Sequence, residues 1–272
     1  MVRFWGLGAA MSGASMLVRN SGKFLKVALF WALVRTAALM AYCGYVWFRD
    51  WPLPFDIGGT LYILRQPDQF VVQYAVTMLP DIFGSLAVPI WWTRFVLSGA
   101  LPKRWIDLPR GSARYFSREF LIAMVGVVAA IPGLLLAGIA SRVLEQPLAN
   151  QVAVAVVVLD AIVLLYGCAR FWLIFPAIAI GNDHIRFRQS LRLTKKAGVG
   201  LLLGFGVAYL VTVLPAAMIE RIQDLLPLYG RVADAIAIAA SILVALLTLA
   251  GTAIGAAVTA ALYKARVDIV TD

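Results

Sequence analysis

Apolar residues fall into six long runs along the chain, and short polar segments separate each run from the next. The runs cover residues 27–48, 71–97, 120–140, 152–178, 199–219 and 235–263. A transmembrane helix needs about 20 mainly apolar residues to cross a hydrocarbon core of about 30 Å. Each run reaches that length, so the pattern predicts an all-α fold, namely a polytopic transmembrane bundle of six spans.

The N-terminal segment has a different pattern from the six runs. Its apolar stretch between Arg3 and Arg19 is short and rich in Gly, Ala and Ser. Since no small-residue cleavage site stands out after it, an interfacial helix is favoured over a signal peptide. We therefore divide the chain into an interfacial segment at residues 1–26, a six-helix transmembrane domain at 27–264 and a cytoplasmic tail at 265–272.

Composition and charge distribution define the orientation of these helices. Hydrophobic residues make up 62% of the 272 residues and charged residues 14%, with a mean hydropathy of +0.87, whereas soluble domains carry about 25% charged residues. Sixteen of the 24 Lys and Arg residues lie on one side of the predicted membrane and five on the other. The positive-inside rule then places both termini in the cytoplasm, and the location we expect is a bacterial inner membrane. Because the net charge of +10 comes from these loops, nucleic acid is not an expected partner.

Two tetrapeptides suggest an internal repeat. Residues 94–97 (RFVL) end the second run, and residues 170–173 (RFWL) lie near the end of the fourth. Each is followed by a proline-containing stretch, a basic segment and another apolar run. The pattern predicts two parallel hairpin copies, related by an axis close to the membrane normal.

A family resemblance rests on the second of these copies. The sequence RFWLIFPAIAIG at residues 170–181, followed by RQSLRLTKK at 188–196, resembles a hairpin of bacterial six-helix proteins similar to the YciC-like family. It also resembles the membrane domain of glycerophosphodiester phosphodiesterases. The resemblance covers mainly residues 90–210 and implies a membrane domain. The soluble catalytic barrel of those phosphodiesterases has no counterpart here, so no family active site is carried over.

The chain carries no recognisable catalytic, metal or cofactor motif. It lacks a GxxxxGK[ST] phosphate loop, HExxH, GxSxG and spaced Cys/His ligands, and it contains one histidine, His184. Cys43 and Cys168 both lie inside apolar runs, where free cysteines usually pack as small hydrophobic residues. We therefore expect no enzyme activity, no metal and no cofactor.

Five ionisable residues inside the apolar runs are candidates for function, because a charge within a bilayer costs at least about 2.5–3.5 kcal/mol. Arg35, Arg94 and Arg170 lie toward the predicted cytoplasmic half and could form a pocket for a lipid phosphate. Snorkelling to headgroups is the alternative. Asp81 and Asp160 lie toward the outer half and could be protonatable transport sites, or could fix helix packing by hydrogen bonding.

Four glycines form two pairs with helical spacing, Gly200 with Gly204 and Gly251 with Gly255. Small residues at this spacing let helix backbones approach closely in a bilayer. They predict close packing within the chain, with dimerisation as the alternative.

These observations favour a non-enzymatic scaffold, accessory or assembly subunit that contacts anionic lipid and another membrane protein or itself. The competing hypothesis is a small transporter or permease that uses Asp81 and Asp160, which would show a hydrated cavity reaching one of them. A lipid-modifying enzyme is disfavoured because the sequence offers no nucleophile and base.

Overall fold

The computed structural model describes residues 6–48, 67–104, 107–143, 145, 148–182, 185–225 and 231–267. Every regular element in these residues is a helix, so the all-α prediction is confirmed. In chain order the helices are α1 (Gly6–Arg19), α2 (Ser21–Phe48), α3 (Pro67–Ser98), α4 (Ser112–Val143), α5 (Leu148–Ala169), α6 (Ile174–Ile180), α7 (Phe187–Leu193), α8 (Gly198–Leu225) and α9 (Arg231–Val267).

Five segments of the described residues are long and apolar enough to cross a membrane. They are Ser21–Ala41, Ser112–Ala140, Leu148–Ile180, Gly198–Ile219 and Ile238–Val267. Such helices are compatible with a multi-pass integral membrane protein. The sixth predicted span, residues 71–97, corresponds to α3, which is not one of these five, and the side chains before Pro80 lie outside the described part of that helix.

The long helix α9 is the centre of the bundle, and it packs against α8, α3, α1 and α2. Its inner surface is built largely from alanines, of which Ala245, Ala253 and Ala260 are almost fully buried. Small side chains allow close approach of neighbouring helices, which is how membrane helices gain packing contact. Large side chains from α2 and α3, such as Trp31 and Trp92, fill the space between these helices.

Helix α1 packs against α8 and α9 through small residues. A Cβ atom on Gly6 would collide with the Gly200 carbonyl oxygen, and one on Gly13 would lie 3.0 Å from the Ala257 Cβ. Helix α2 begins at Ser21, six residues before the first predicted run, and continues through the predicted boundary at residue 26. Residues 1–5 of the segment predicted to be interfacial and residues 268–272 of the predicted tail lie outside the described residues.

The fourth predicted span is not one continuous helix. Helix α5 ends at Ala169, a turn follows at residues 170–173, and the short helix α6 begins at Ile174. The backbone carbonyl of Arg170 accepts hydrogen bonds from the hydroxyls of Ser190 and Thr194. Hydropathy could not reveal this break, since the residues on both sides of the turn are apolar and the hydroxyls come from a distant segment.

The hairpin of α4 and α5 exposes most of its apolar side chains outside the protein. Val128 is 61% exposed on α4, and Leu159 is 64% exposed on α5. In water such a surface would be unfavourable, whereas hydrocarbon or another membrane protein can cover it without that cost.

Candidate functional site

Arg35 and Asp81 form an ion pair between α2 and α3. The Arg35 Nε lies 2.8 Å from the Asp81 Oδ1, and both residues are near the middle of their helices. The sequence predicted Arg35 toward the cytoplasmic half and Asp81 toward the outer half of the membrane, whereas their side chains meet near the middle of both helices. Arg35 therefore has an acidic partner on a neighbouring helix within the chain.

A cavity of about 330 Å³ lies beside this ion pair, between α2, α3 and α9. Besides the two charged side chains, the described lining residues include the hydroxyl groups of Ser85, Thr248 and Thr252. These hydroxyls donate hydrogen bonds to the backbone carbonyls of Ile82, Val244 and Leu249, at 3.0, 2.9 and 2.8 Å respectively. Their oxygens therefore offer lone pairs to the cavity.

Asp160 does not line this cavity. It lies half-buried on α5 and packs against Gly133 of α4, where a Cβ atom would come within 2.5 Å of the Asp160 carboxylate. The structure thus places the two candidate aspartates in different helix contacts, Asp81 in the α2–α3 contact and Asp160 in the α4–α5 contact.

Arg94 binds backbone carbonyl groups near the end of α3. Its Nε donates to the Ala179 carbonyl at 2.5 Å, and its Nη2 donates to the Arg110 carbonyl at 2.9 Å. The guanidinium also lies over the Trp91 ring, 5.0 Å from the ring centroid. These contacts connect α3 to the following loop and to the end of α6.

Arg170 has a similar role in the second copy of the tetrapeptide. Its Nη2 donates to the Leu191 carbonyl of α7 at 2.7 Å, while its Nε is buried without a hydrogen-bond partner among the described residues. Arg35 does not join Arg94 in one pocket, because its partner Asp81 precedes Arg94 by 13 residues, or about 20 Å along α3. The expected convergence of the three arginines is therefore not observed for Arg35.

A second cavity, of about 530 Å³, is lined by several basic residues. We call it the arginine cleft. Four guanidiniums line it, from Arg114 and Arg118 near the start of α4 and from Arg186 and Arg188 around the start of α7. Arg118 lies over the Phe187 ring, 5.1 Å from the centroid. Among the lining residues that the structure describes none is acidic, and apart from Asn182 the remaining ones are apolar: Ile174, Ile178, Ile185 and Phe187. Asp183 and His184, which follow Asn182 in the chain, lie outside the described residues.

Sequence reasoning missed the arginine cleft, because the positive-inside rule already accounted for its cations as topology signals. The available signal was that two basic segments follow the two copies of the RFxL tetrapeptide. If the copies are parallel, the segments lie at the same end of the bundle and their arginines can meet.

The four glycines predicted to pack helices lie in contacts within the chain. Gly200 and Gly204 meet the backbone of α1 at Gly6, while Gly251 and Gly255 face α8, where a Cβ atom would meet Thr212 and Phe205 respectively. The described part of the chain contains no group of three His, Cys, Asp or Glu residues placed to hold a metal ion.

The chain matches no protein-family model, no curated protein and no solved structure. Fold and site together define the coarse class, an α-helical bundle with the apolar helices of a multi-pass membrane protein. The structure also contains one cleft lined by four arginines and by apolar side chains.

Proposed function

We propose that this protein is a non-enzymatic scaffold, accessory or assembly subunit of the bacterial inner membrane that holds an anionic lipid in its arginine cleft. The observation that carries the proposal is the convergence of Arg118, Arg186 and Arg188, together with Arg114, on one amphipathic cleft. Guanidinium groups bind phosphate oxygens with paired hydrogen bonds, which makes arginine well suited to lipid phosphates.

A lipid phosphate fits the cleft better than free phosphate because the site is amphipathic. Ile174, Ile178 and Ile185 lie beside the guanidiniums and can cover the glycerol and upper acyl chain of a phospholipid. Inorganic phosphate would leave this apolar surface in contact with water. Basic pockets between membrane helices are known to bind anionic headgroups in this way.

The proposal includes six spans with both termini in the cytoplasm. The asymmetry of sixteen to five cations supports this orientation, and it would place the arginine cleft at the inner leaflet, where anionic lipids supply phosphate. α3, with 32 residues, is long enough to serve as the sixth span.

A parallel repeat is also part of the proposal. Arg94 and Arg170 both donate to a backbone carbonyl in the basic segment that follows them, at Arg110 and Leu191 respectively. Two arginines with the same sequence context and the same type of contact support a duplicated hairpin, and with it the resemblance to the YciC-like family.

The exposed apolar hairpin of α4 and α5 supports the accessory role. Its outward side chains, including Val128 and Leu159, offer a surface that another membrane protein or a second copy of this chain can cover.

Lipid retention in native mass spectrometry tests the proposal. Protein extracted from membranes containing phosphatidylglycerol and cardiolipin should retain anionic lipid, and Arg118→Gln with Arg188→Gln should lower the retained fraction. The matched control is Lys103→Gln with Lys195→Gln, which removes the same charge from exposed positions outside the cleft. Equal retention in both double variants would contradict the proposal.

Two further experiments test what the ligand is and where it binds. Excess inorganic phosphate should not displace the lipid, because it cannot contact the apolar floor; efficient displacement would indicate a site for free phosphate. Arg94→Gln with Arg170→Gln tests the original lipid-phosphate hypothesis. Lipid loss in this variant at unchanged thermal stability would place the phosphate at those two arginines instead.

One observation favours the alternative function, a small transporter or permease. The cavity beside Arg35 and Asp81 has the polar lining expected of a site within a membrane bundle. Asp160, the other acid of that hypothesis, packs against Gly133 away from this cavity.

A further inference from the structure

The Arg35–Asp81 ion pair is only partly covered by protein. The Arg35 side chain is 29% exposed and the Asp81 side chain 48% exposed, although both lie near the middle of long helices. Charged groups in hydrocarbon are costly, so intramembrane ion pairs with open surface face water-filled cavities. The adjoining cavity of about 330 Å³ has several polar groups and far more room than the roughly 30 Å³ of one water molecule. Water molecules therefore fit beside the ion pair.

The hydroxyl groups that line this cavity among the described residues act as hydrogen-bond acceptors toward it. The protons of the Ser85, Thr248 and Thr252 hydroxyls are donated to backbone carbonyls within their own helices. Their oxygens and the Asp81 carboxylate can accept hydrogen bonds, whereas Arg35 supplies guanidinium N–H donors. The site thus offers a donor group and a separate set of acceptors.

The opposite charges of Arg35 and Asp81 restrict the kind of ligand that can bind in the cavity. The ion pair has no net charge, so a simple anion would be repelled by Asp81 and a simple cation by Arg35. A small molecule with both charges can place its anionic end near Arg35 and its cationic end near Asp81 and the hydroxyl oxygens. The cavity volume lies at the lower end of the range of about 300–1,000 Å³ found for ligand sites, which limits the ligand to a small one.

We propose that the cavity between α2, α3 and α9 binds a small zwitterionic solute of the amino-acid class, with its carboxylate on Arg35 and its ammonium group on Asp81. This site is separate from the arginine cleft and does not depend on lipid binding. It gives the protein a second, solute-binding activity within the membrane bundle.

Cysteine accessibility tests whether the cavity holds water. Ser85→Cys and Thr252→Cys are made separately in full-length protein carrying Cys43→Ala and Cys168→Ala, and each is reconstituted into lipid nanodiscs that expose both faces. A charged methanethiosulfonate reagent should label both cysteines at least about tenfold faster than the control Val128→Cys, because thiolate forms in water and not in hydrocarbon. Val128 is the control because it lies 61% exposed on the apolar hairpin. Labelling as slow as the control at both positions would overturn the proposal.

Protection by solutes tests the ligand class at the same site. Glycine, alanine and serine are added as zwitterionic probes, and acetate and methylammonium as probes carrying a single charge. At least one zwitterion should slow labelling of Ser85→Cys several-fold, and Asp81→Asn should abolish this protection while labelling itself persists. Absence of protection by all three zwitterions would overturn the proposal, as would equal protection by acetate or methylammonium. Loss of lipid retention in the arginine-cleft variants would leave both results unchanged, so the two proposals fail independently.

Discussion

Gly251→Ala should destabilise the protein, because a methyl group at this position would collide with Thr212 across the contact between α8 and α9. The new Cβ atom would lie 2.5 Å from the Thr212 Oγ1 and 3.4 Å from the Thr212 Cβ. Thr212 is only 2% exposed, and its hydroxyl donates to the Ala208 carbonyl at 2.6 Å. A β-branched side chain in a helix has few alternative rotamers, so the collision must be relieved by strain or by helix displacement.

Two costs and one gain determine the expected change in the free energy of unfolding. Overpacking of a close contact costs about 1–3 kcal/mol, and displacement of the Thr212 hydroxyl would forfeit a hydrogen bond worth about 0.5–1.5 kcal/mol. Replacement of a helical glycine by alanine stabilises the folded protein by about 0.5–1 kcal/mol, because it reduces the backbone entropy of the unfolded state. The net effect should be a loss of about 0.5–4 kcal/mol in the free energy of unfolding.

Equilibrium unfolding in mixed detergent micelles, followed by circular dichroism, measures this loss. Gly206→Ala is the matched control, since it lies on exposed α8 surface where a Cβ atom has no described neighbour within 4 Å. Thr212→Ala should relieve the collision, so the double variant with Gly251→Ala should show a favourable coupling of at least about 0.5 kcal/mol. If Gly251→Ala is as stable as Gly206→Ala, α8 and α9 do not approach closely here and the packing argument fails.

Three other perturbations test the fold and the charged contacts. Reporter fusions should give a cytoplasmic signal at Lys103, Lys196 and the C-terminus and an outside signal at Pro54, Pro147 and Pro227; one loop on the other side would refute the six-span topology. Gly133→Ala should lower thermal stability because its methyl group would displace Asp160, and adding Asp160→Ala should restore it; a neutral Gly133→Ala would mean that the two do not pack together. Asp81→Leu should cost less than the roughly 3–5 kcal/mol typical of a fully buried broken pair, because the exposed part of Arg35 faces a polar cavity. The charge-swapped variant Arg35→Asp with Asp81→Arg should recover much of that stability in the same unfolding assay, and no recovery would show that the ion pair itself contributes little.

The sequence alone determined the all-α class and the approximate position of the helices. This was possible because length and apolar content are local properties, and a stretch of about 20 apolar residues satisfies its backbone hydrogen bonds as a helix. Residues 199–219 illustrate this, since α8 includes all of them and extends to Leu225. The spacing of Gly251 and Gly255 also pointed to close packing, because residues four apart share a helix face.

The tertiary structure alone decided which side chains meet. Arg35 was assigned to a lipid-facing pocket from its depth along the chain, yet the packing of α2 on α3 brings it to Asp81. Arg94 and Arg170 use carbonyl groups of distant segments as partners, and a linear pattern does not identify such acceptors.

The arginine cleft arises in the same way, from two basic segments that are far apart in sequence and lie together at one end of the bundle. The hydrophobic pattern specifies that a helix forms, but the rotation and register of one helix against another depend on contacts of small residues, such as Gly6 against Gly200, that only the folded chain reveals.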